Sequence, residues 1–260
     1  MKKKGYRIWI GVATFAILTA VWQICVSAGK ISPRVLSSPW QVAVCLVEYW
    51  PSLLSSATLI TGLEGLLGFL ASIPLGLALG AGLYSSKTVQ ASLYPLIVTA
   101  QMLPLITIAP LFIIWFGFSP AGKGVMVAIF SIFPIAVQTF RGLEKVPEEY
   151  VDVAKSCGAG GWWILFHVKL RLAAPQIFGG MKIATAYVFA TAATAEYLGA
   201  RNGLGIVLQS AFESFQTPLI FSATILIIAM TALLWLLVSG SERLVSRPKR
   251  SSLKFAKGGR

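Results

Sequence analysis

From Leu219 to Val238 the chain runs for twenty residues without a charged side chain. At 1.5 Å per residue a helix of that length crosses the roughly 30 Å hydrocarbon layer of a bilayer. Comparable, mostly apolar stretches recur at about 8–26, 59–83, 92–117, 124–140 and 177–200. With 56% apolar and 12% charged residues over 260 positions, too little polar side chain remains to coat a water-soluble domain of this size. The sequence therefore predicts an all-α polytopic membrane protein with about six transmembrane helices, built as one domain over 1–260. Its core lies at about 55–245, its first anchor at about 8–26 and a basic tail at about 243–260. The opening Met1-Lys2-Lys3-Lys4 resembles the start of a secretory signal. The apolar segment behind it is long for a signal core, and more membrane follows instead of a cleavage site, so it is expected to be retained.

Orientation follows from the basic residues, which stay in short cytoplasmic loops. With both termini inside, 18 of the 22 Lys and Arg fall on the cytoplasmic side, leaving only Lys30, Arg34, Lys123 and Arg201 outside. The net charge of +13 is thus dispersed along membrane edges, and no basic module interleaved with aromatics suggests a nucleic-acid partner. Cys25, Cys45 and Cys157 are too scattered for a disulfide framework or zinc site and read as small apolar fillers. His167 is the only histidine. No metal and no cofactor is expected.

The longest polar stretch, from Arg141 to about Pro175, lies between the fourth and fifth spans and is expected in the cytoplasm. Pro147-Glu148-Glu149 starts a helix, with Pro preset for the first turn and acids at the positive end of the dipole. Gly158 ends it, because glycine accepts the left-handed conformation that commonly closes a helix. Gly160-Gly161 then lead into an aromatic helix from Trp162 to about Leu172. Spacing alone does not separate this helix-turn-helix from an interfacial loop with Trp162 and Trp163 in the aromatic belt.

Within the spans, Pro95, Pro104 and Pro110 each remove a backbone hydrogen bond and kink or break the third helix. Broken membrane helices belong where protein or water satisfies the backbone, so Pro104 and Pro110 mark a possible pathway, or else a static kink used for packing. Gly62, Gly65, Gly68, Gly76, Gly80 and Gly82 permit close helix approach on the second span. Glu64 and Glu196 need a partner, because a lone charge in hydrocarbon costs several kcal/mol. Glu64 is grouped with Glu196, Pro104 and Pro110 as a possible pathway or gate residue, with an interfacial position slightly favoured for it. Glu196, beside Gly199 and Gly203-Leu204-Gly205, is a pathway or gate residue or a structural cap. Lys182 is expected to snorkel. A complete phosphate loop is missing: Gly117, Gly122 and Lys123 have its spacing, but Gly124 replaces the metal-binding hydroxyl and no strand precedes them.

Asp152-Val153-Ala154, Gly158 and Val168-Lys169-Leu170 resemble the signature loop of bacterial ABC importer permeases: Glu-Ala-Ala, three residues, Gly, nine residues, Ile-x-Leu-Pro. Asp152 stands at the acid, Val153 and Ala154 at the alanines, Gly158 at the glycine, Val168 at the isoleucine and Leu170 at the leucine, while Arg171 replaces the proline. Val35-Leu36-Ser37-Ser38-Pro39, Leu103 to Leu111 with Trp115-Phe116-Gly117, and Glu196-Tyr197-Leu198-Gly199-Ala200 extend the resemblance to permeases of the nitrate, sulfonate, taurine and thiamine-precursor type. The resemblance implies a non-enzymatic transport subunit of the bacterial inner membrane that forms the path for a small solute. It further implies two copies of a separate ATPase subunit docked at the loop as a coupling helix, a second permease copy in a homodimer, and an extracytoplasmic solute-binding protein. A proton-coupled secondary transporter using Glu64 and Glu196 is the alternative of another class.

Overall fold

The computed structural model describes residues 2–28, 32 and 35–245. Lys30, Arg34 and the tail at 246–260 lie outside the described residues. Regular structure among the described residues is helical throughout. Among the described residues five helical rods are long and apolar enough to cross a membrane, six if a bent pair is counted as one broken span.

Helix α1 (Lys2–Ser27) stands mostly apart, touching its neighbours through Gln23, which accepts from the Trp40 N–H at 3.3 Å, and through Trp22, whose ring lies 5.5 Å from that of Phe221. The expected second span at 59–83 is in fact the distal half of a 47-residue rod. That rod comprises α2 (Pro39–Tyr49), a π-helical turn (Trp50–Leu54) and α3 (Ser55–Ser85). Its start is a capping box: Ser38 accepts from the Gln41 N–H at 3.2 Å while the Gln41 side chain accepts from the Ser38 N–H at 3.0 Å. Pro51 lies in the wide turn, where its missing N–H would interrupt a regular ladder.

The expected third span at 92–117 is broken. Helix α4 (Lys87–Ala100) and α5 (Leu105–Phe116) meet at 104°, with Pro104 as the N-cap of α5. Of the three prolines only Pro104 breaks the rod, and Pro95 and Pro110 sit inside continuous helices. A proline pushes its predecessor out of helical geometry, which sets the boundary here. Helix α6 (Pro120–Glu144) is the most buried of the rods and the axis of the bundle. It meets α3 closely because a Cβ on Gly68 would stand 2.6 Å from the Gly124 carbonyl oxygen, and one on Gly80 would stand 2.6 Å from that of Ala136. Gly82, by contrast, faces open space, so it takes no part in the expected close approach.

After α6 come α7 (Glu148–Ser156), α8 (Gly161–Ile164), a second π-helical turn (Leu165–Lys169) and α9 (Leu170–Tyr197). The aromatic helix at 162–172 and the fifth span at 177–200, read from sequence as separate, form one 37-residue rod from Gly161 to Tyr197. Helix α10 (Leu204–Glu213) then leads into α11 (Thr217–Val245). The main core joins α3, α6, α9 and α11 through Phe69, Val127, Ile135, Val188 and Leu234. The bundle thus has an α7 end, carrying Gly158, and an α10 end, carrying Glu196.

Candidate functional site

At the α7 end, Glu148 and Glu149 occupy the first turn of α7 and Lys155 its last, each on the favourable side of the helix dipole. Pro147 is the N-cap rather than the first helical residue. The helix closes on Gly158, which has φ +82°: the Ala159 N–H donates to the Ala154 carbonyl at 3.0 Å and the Gly158 N–H to that of Lys155 at 2.8 Å. These paired bonds satisfy the last carbonyls and turn the chain sharply toward α8.

Ala154 is the buried residue of α7, whereas Asp152, Val153 and Gly158 are exposed, and the Asp152 carboxylate lies 3.5 Å from Lys155 Nζ. Val168 is half-buried on the π-helical turn, and Leu170 packs into a cluster with Leu143, Ala173 and Ile177. Of the six motif residues, then, three face outward, two anchor the loop and Val168 lies between. A cleft of about 640 Å³ opens between the two arms of the turn, lined by Tyr150, Val153, Cys157, Gly158, Trp163 and Val168. Trp162 is 77% exposed and stacks on Phe166, and Trp163 stacks on His167 with ring centroids 4.7 Å apart. The result is a rigid, apolar ledge. Cys157 and Cys25 are exposed, so only Cys45 is the buried filler expected of all three.

Near the α10 end, two buried acids meet α3 one helical turn apart, Glu64 as part of it and Glu196 of α9 through Thr61. Glu64 is buried within the protein and pairs with Lys123 Nζ at 2.5 Å. Sequence reasoning placed Lys123 on the outer side of the membrane, in a near miss to a phosphate loop, without a partner. The fold instead turns it into the protein to neutralise Glu64, since an unpaired charge there would be costly. Glu196 is fully buried and accepts from Thr61 Oγ1 at 2.8 and 2.9 Å and from the Gly205 N–H at 2.7 Å. Thr61 Oγ1 in turn accepts from the Leu204 N–H at 2.9 Å. The carboxylate therefore sits on the N-terminal turn of α10, where free N–H groups and the dipole favour an anion.

Gly203, at φ +119°, makes room for it: a Cβ there would lie 2.2 Å from Glu196 Oε1. On Gly205 a Cβ would lie 2.0 Å from the Ala193 carbonyl oxygen. Glu64 also lines an apolar cleft of about 660 Å³ between α3 and α6, with Gly68, Ala71, Gly124 and Ala128. Pro104 and Pro110, both exposed, lie on the α5 side and outside that lining, so the four residues grouped from sequence do not share one cavity. Lys182, expected to snorkel, pairs with Glu242 of α11. Among the described residues no three His, Cys, Asp or Glu side chains are grouped to hold a metal.

The description "Binding-protein-dependent transport system inner membrane component" fits residues 72–251. The chain belongs to this family. It is 30% identical over 233 residues to the formylaminopyrimidine transport permease protein ThiX of Halalkalibacterium halodurans, covering 89% of this chain and 92% of that one. It is 32% identical over 235 residues to the putative aliphatic sulfonates transport permease protein SsuC of Escherichia coli, covering 88% and 86%. In fold it resembles a chain of the MetNI methionine ABC transporter solved in an inward-facing conformation, with TM-score 0.64, 18% identity and coverage of 75% of this chain and 97% of that one. This permease is thus a multi-pass ABC transport component.

Proposed function

We propose that this permease is the membrane half of an ATP-driven importer for a small organic solute of the sulfonate or pyrimidine-precursor class, with the α7 end facing the cytoplasm. The ledge closed by Gly158 carries the reading. Exposed Tyr150, Val153, Trp162 and Trp163 are unusual beside a solvated, charged α7, and a rigid apolar ledge suits docking into a partner's cleft. The partner is a separate ATPase subunit, two copies serving two permease copies around a two-fold axis. Closure of the ATPases draws the ledges together and tips the bundles outward-open, and hydrolysis resets them. A solute-binding protein delivers at the α10 end. The path runs along the broken α4–α5 span, whose exposed Gln101 to Pro104 backbone needs water or protein beside it at membrane depth. Fixed pairing of Glu64 with Lys123 and the capping contacts of Glu196 favour structural duty over proton carriage.

Affinity purification of the tagged chain from detergent-solubilised native membranes tests this. A phosphate-loop ATPase recovered with the wild type and depleted in Gly158→Val is the expected result. A Cβ at this position meets nothing within 4 Å, but a β-branched side chain is incompatible with φ +82°, so the ledge is expected to reorient while the bundle stays folded. Failure to recover any ATPase with the wild type would refute the proposal.

A further inference from the structure

Tyr84 ends α3 at the same face of the bundle as the ledge, and its ring packs into two apolar clusters at once. One, with Leu83, Ile97, Val137 and Phe140, holds α4 against α3 and α6. The other, with Leu143, Ala173 and Ile177, lies beneath the π-helical turn and receives Leu165 and Leu170 from its two flanks. Among the described residues Tyr84 is the one side chain common to these two clusters. Its hydroxyl accepts from Lys169 Nζ at 2.7 Å, and the same ammonium lies 4.6 Å from the ring centroid. Lys169 is the last residue of the π-helical turn, between Val168 and Leu170 of the signature motif. Such turns often mark functional positions in helices.

The chemistry of the two kinds of contact differs. Apolar packing is non-directional and lets one surface slide over another, whereas a charge-assisted hydrogen bond fixes two atoms at one distance. Without the Lys169 bond, the ledge would rest on α3 only through packing. With it, displacement of the ledge is passed to the end of α3 and, through the shared ring, to α4. A second polar contact, from Arg141 Nε and Nη2 of α6 to the Tyr94 hydroxyl of α4 at 3.2 and 3.1 Å, ties the same segment to the bundle axis.

We propose that Lys169 and Tyr84 are the positioning pair through which movement of the docking ledge reaches the broken α4–α5 arm. The inference rests on the ledge being the ATPase-docking surface. Its test uses the permease purified with its ATPase in lipid nanodiscs, with Cys25 and Cys157 changed to Ser and the buried Cys45 to Ala. Two single-cysteine reporters are compared, Lys145→Cys beside the ledge and Met102→Cys at the α4–α5 break, by maleimide alkylation rate without nucleotide and with ATP plus vanadate.

In the wild-type background both rates change with nucleotide. Tyr84→Phe keeps the ring in both clusters and Lys169→Met keeps the stem. Each is expected to leave ATPase co-purification and the Lys145→Cys response intact while cutting the nucleotide-induced change at Met102→Cys about tenfold, the scale of one charge-assisted bond. The double variant is expected to be no worse than either single, and Lys169→Arg to retain the response. A wild-type response at Met102→Cys in both single variants, or additive losses in the double, would overturn the assignment. A silent Lys145→Cys reporter in the wild type would instead remove the docking reading on which it rests.

Discussion

Two glycines with positive φ, Gly158 and Gly203, offer a controlled comparison, because their surroundings are opposite. A Cβ on Gly158 meets nothing within 4 Å, so Gly158→Ala costs only the left-handed backbone, about 1 kcal/mol. A Cβ on Gly203 would stand 2.2 Å from Glu196 Oε1 and 2.4 Å from Oε2, so Gly203→Ala must displace the carboxylate. Displacement breaks the bonds from Thr61 and the Gly205 N–H, each worth about 1.5–3 kcal/mol as hydrogen bonds to a charge. Adding about 1–3 kcal/mol for the glycine-only backbone region at φ +119° and ψ 171° gives a total of about 4–9 kcal/mol. At 2–4 °C per kcal/mol, Gly203→Ala is expected to lower the Tm of the detergent-solubilised permease by about 10 °C or more, and Gly158→Ala by no more than about 4 °C. The assay is thermal unfolding followed by a thiol-reactive dye at buried Cys45, with the two exposed cysteines replaced. Equal shifts for the two variants would refute the claim that the Glu196 contact, rather than glycine's backbone freedom, makes Gly203 indispensable.

Removing Lys123 with Met strands a buried Glu64 and is expected to cost about 3–5 kcal/mol, while adding Glu64→Gln recovers most of it; a thermal double-mutant cycle reads the coupling. Phe215 closes α10 with φ +55° and its ring is 74% exposed, so Phe215→Asn relieves left-handed strain at little loss of packing. The Tm of that variant is expected to rise by about 2–4 °C, and a fall would show that the ring packs on something outside the chain.

What was legible in the sequence follows the range of the interactions involved. The apolar runs fix the spans because crossing a bilayer depends only on local composition, and Gly158 shows itself because a helix stop is a local property too. Two further local signals were readable but passed over. Ser38-Pro39-Trp40-Gln41 is a capping box, the start of α2, and the apolar spacing Leu204, Val207, Leu208 and Ala211 behind Gly203 marks α10. The pairing of Glu64 with Lys123 and the capping of α10 by Glu196 join residues far apart in the chain. No local pattern states them, and the burial rule could say only that each acid needs a partner. The π-helical turn at Leu165–Lys169 likewise hid the continuity of the 37-residue rod, because Pro175 and the aromatic run suggested a boundary that the folded helix does not have.

That rod has a mechanical meaning. At 1.5 Å per residue, 37 residues reach about 55 Å, well beyond the hydrocarbon layer, so the helix projects from the bilayer. It lies tightest on α6 at Gly180, where a Cβ would stand 2.9 Å from the Pro134 carbonyl oxygen and 2.8 Å from Gln138 Cβ. Measured from that point, the Trp-bearing end and the end holding Glu196 are each about 25–30 Å away. The closest approach to α6 therefore lies near the middle of the rod and leaves arms of nearly equal length on either side.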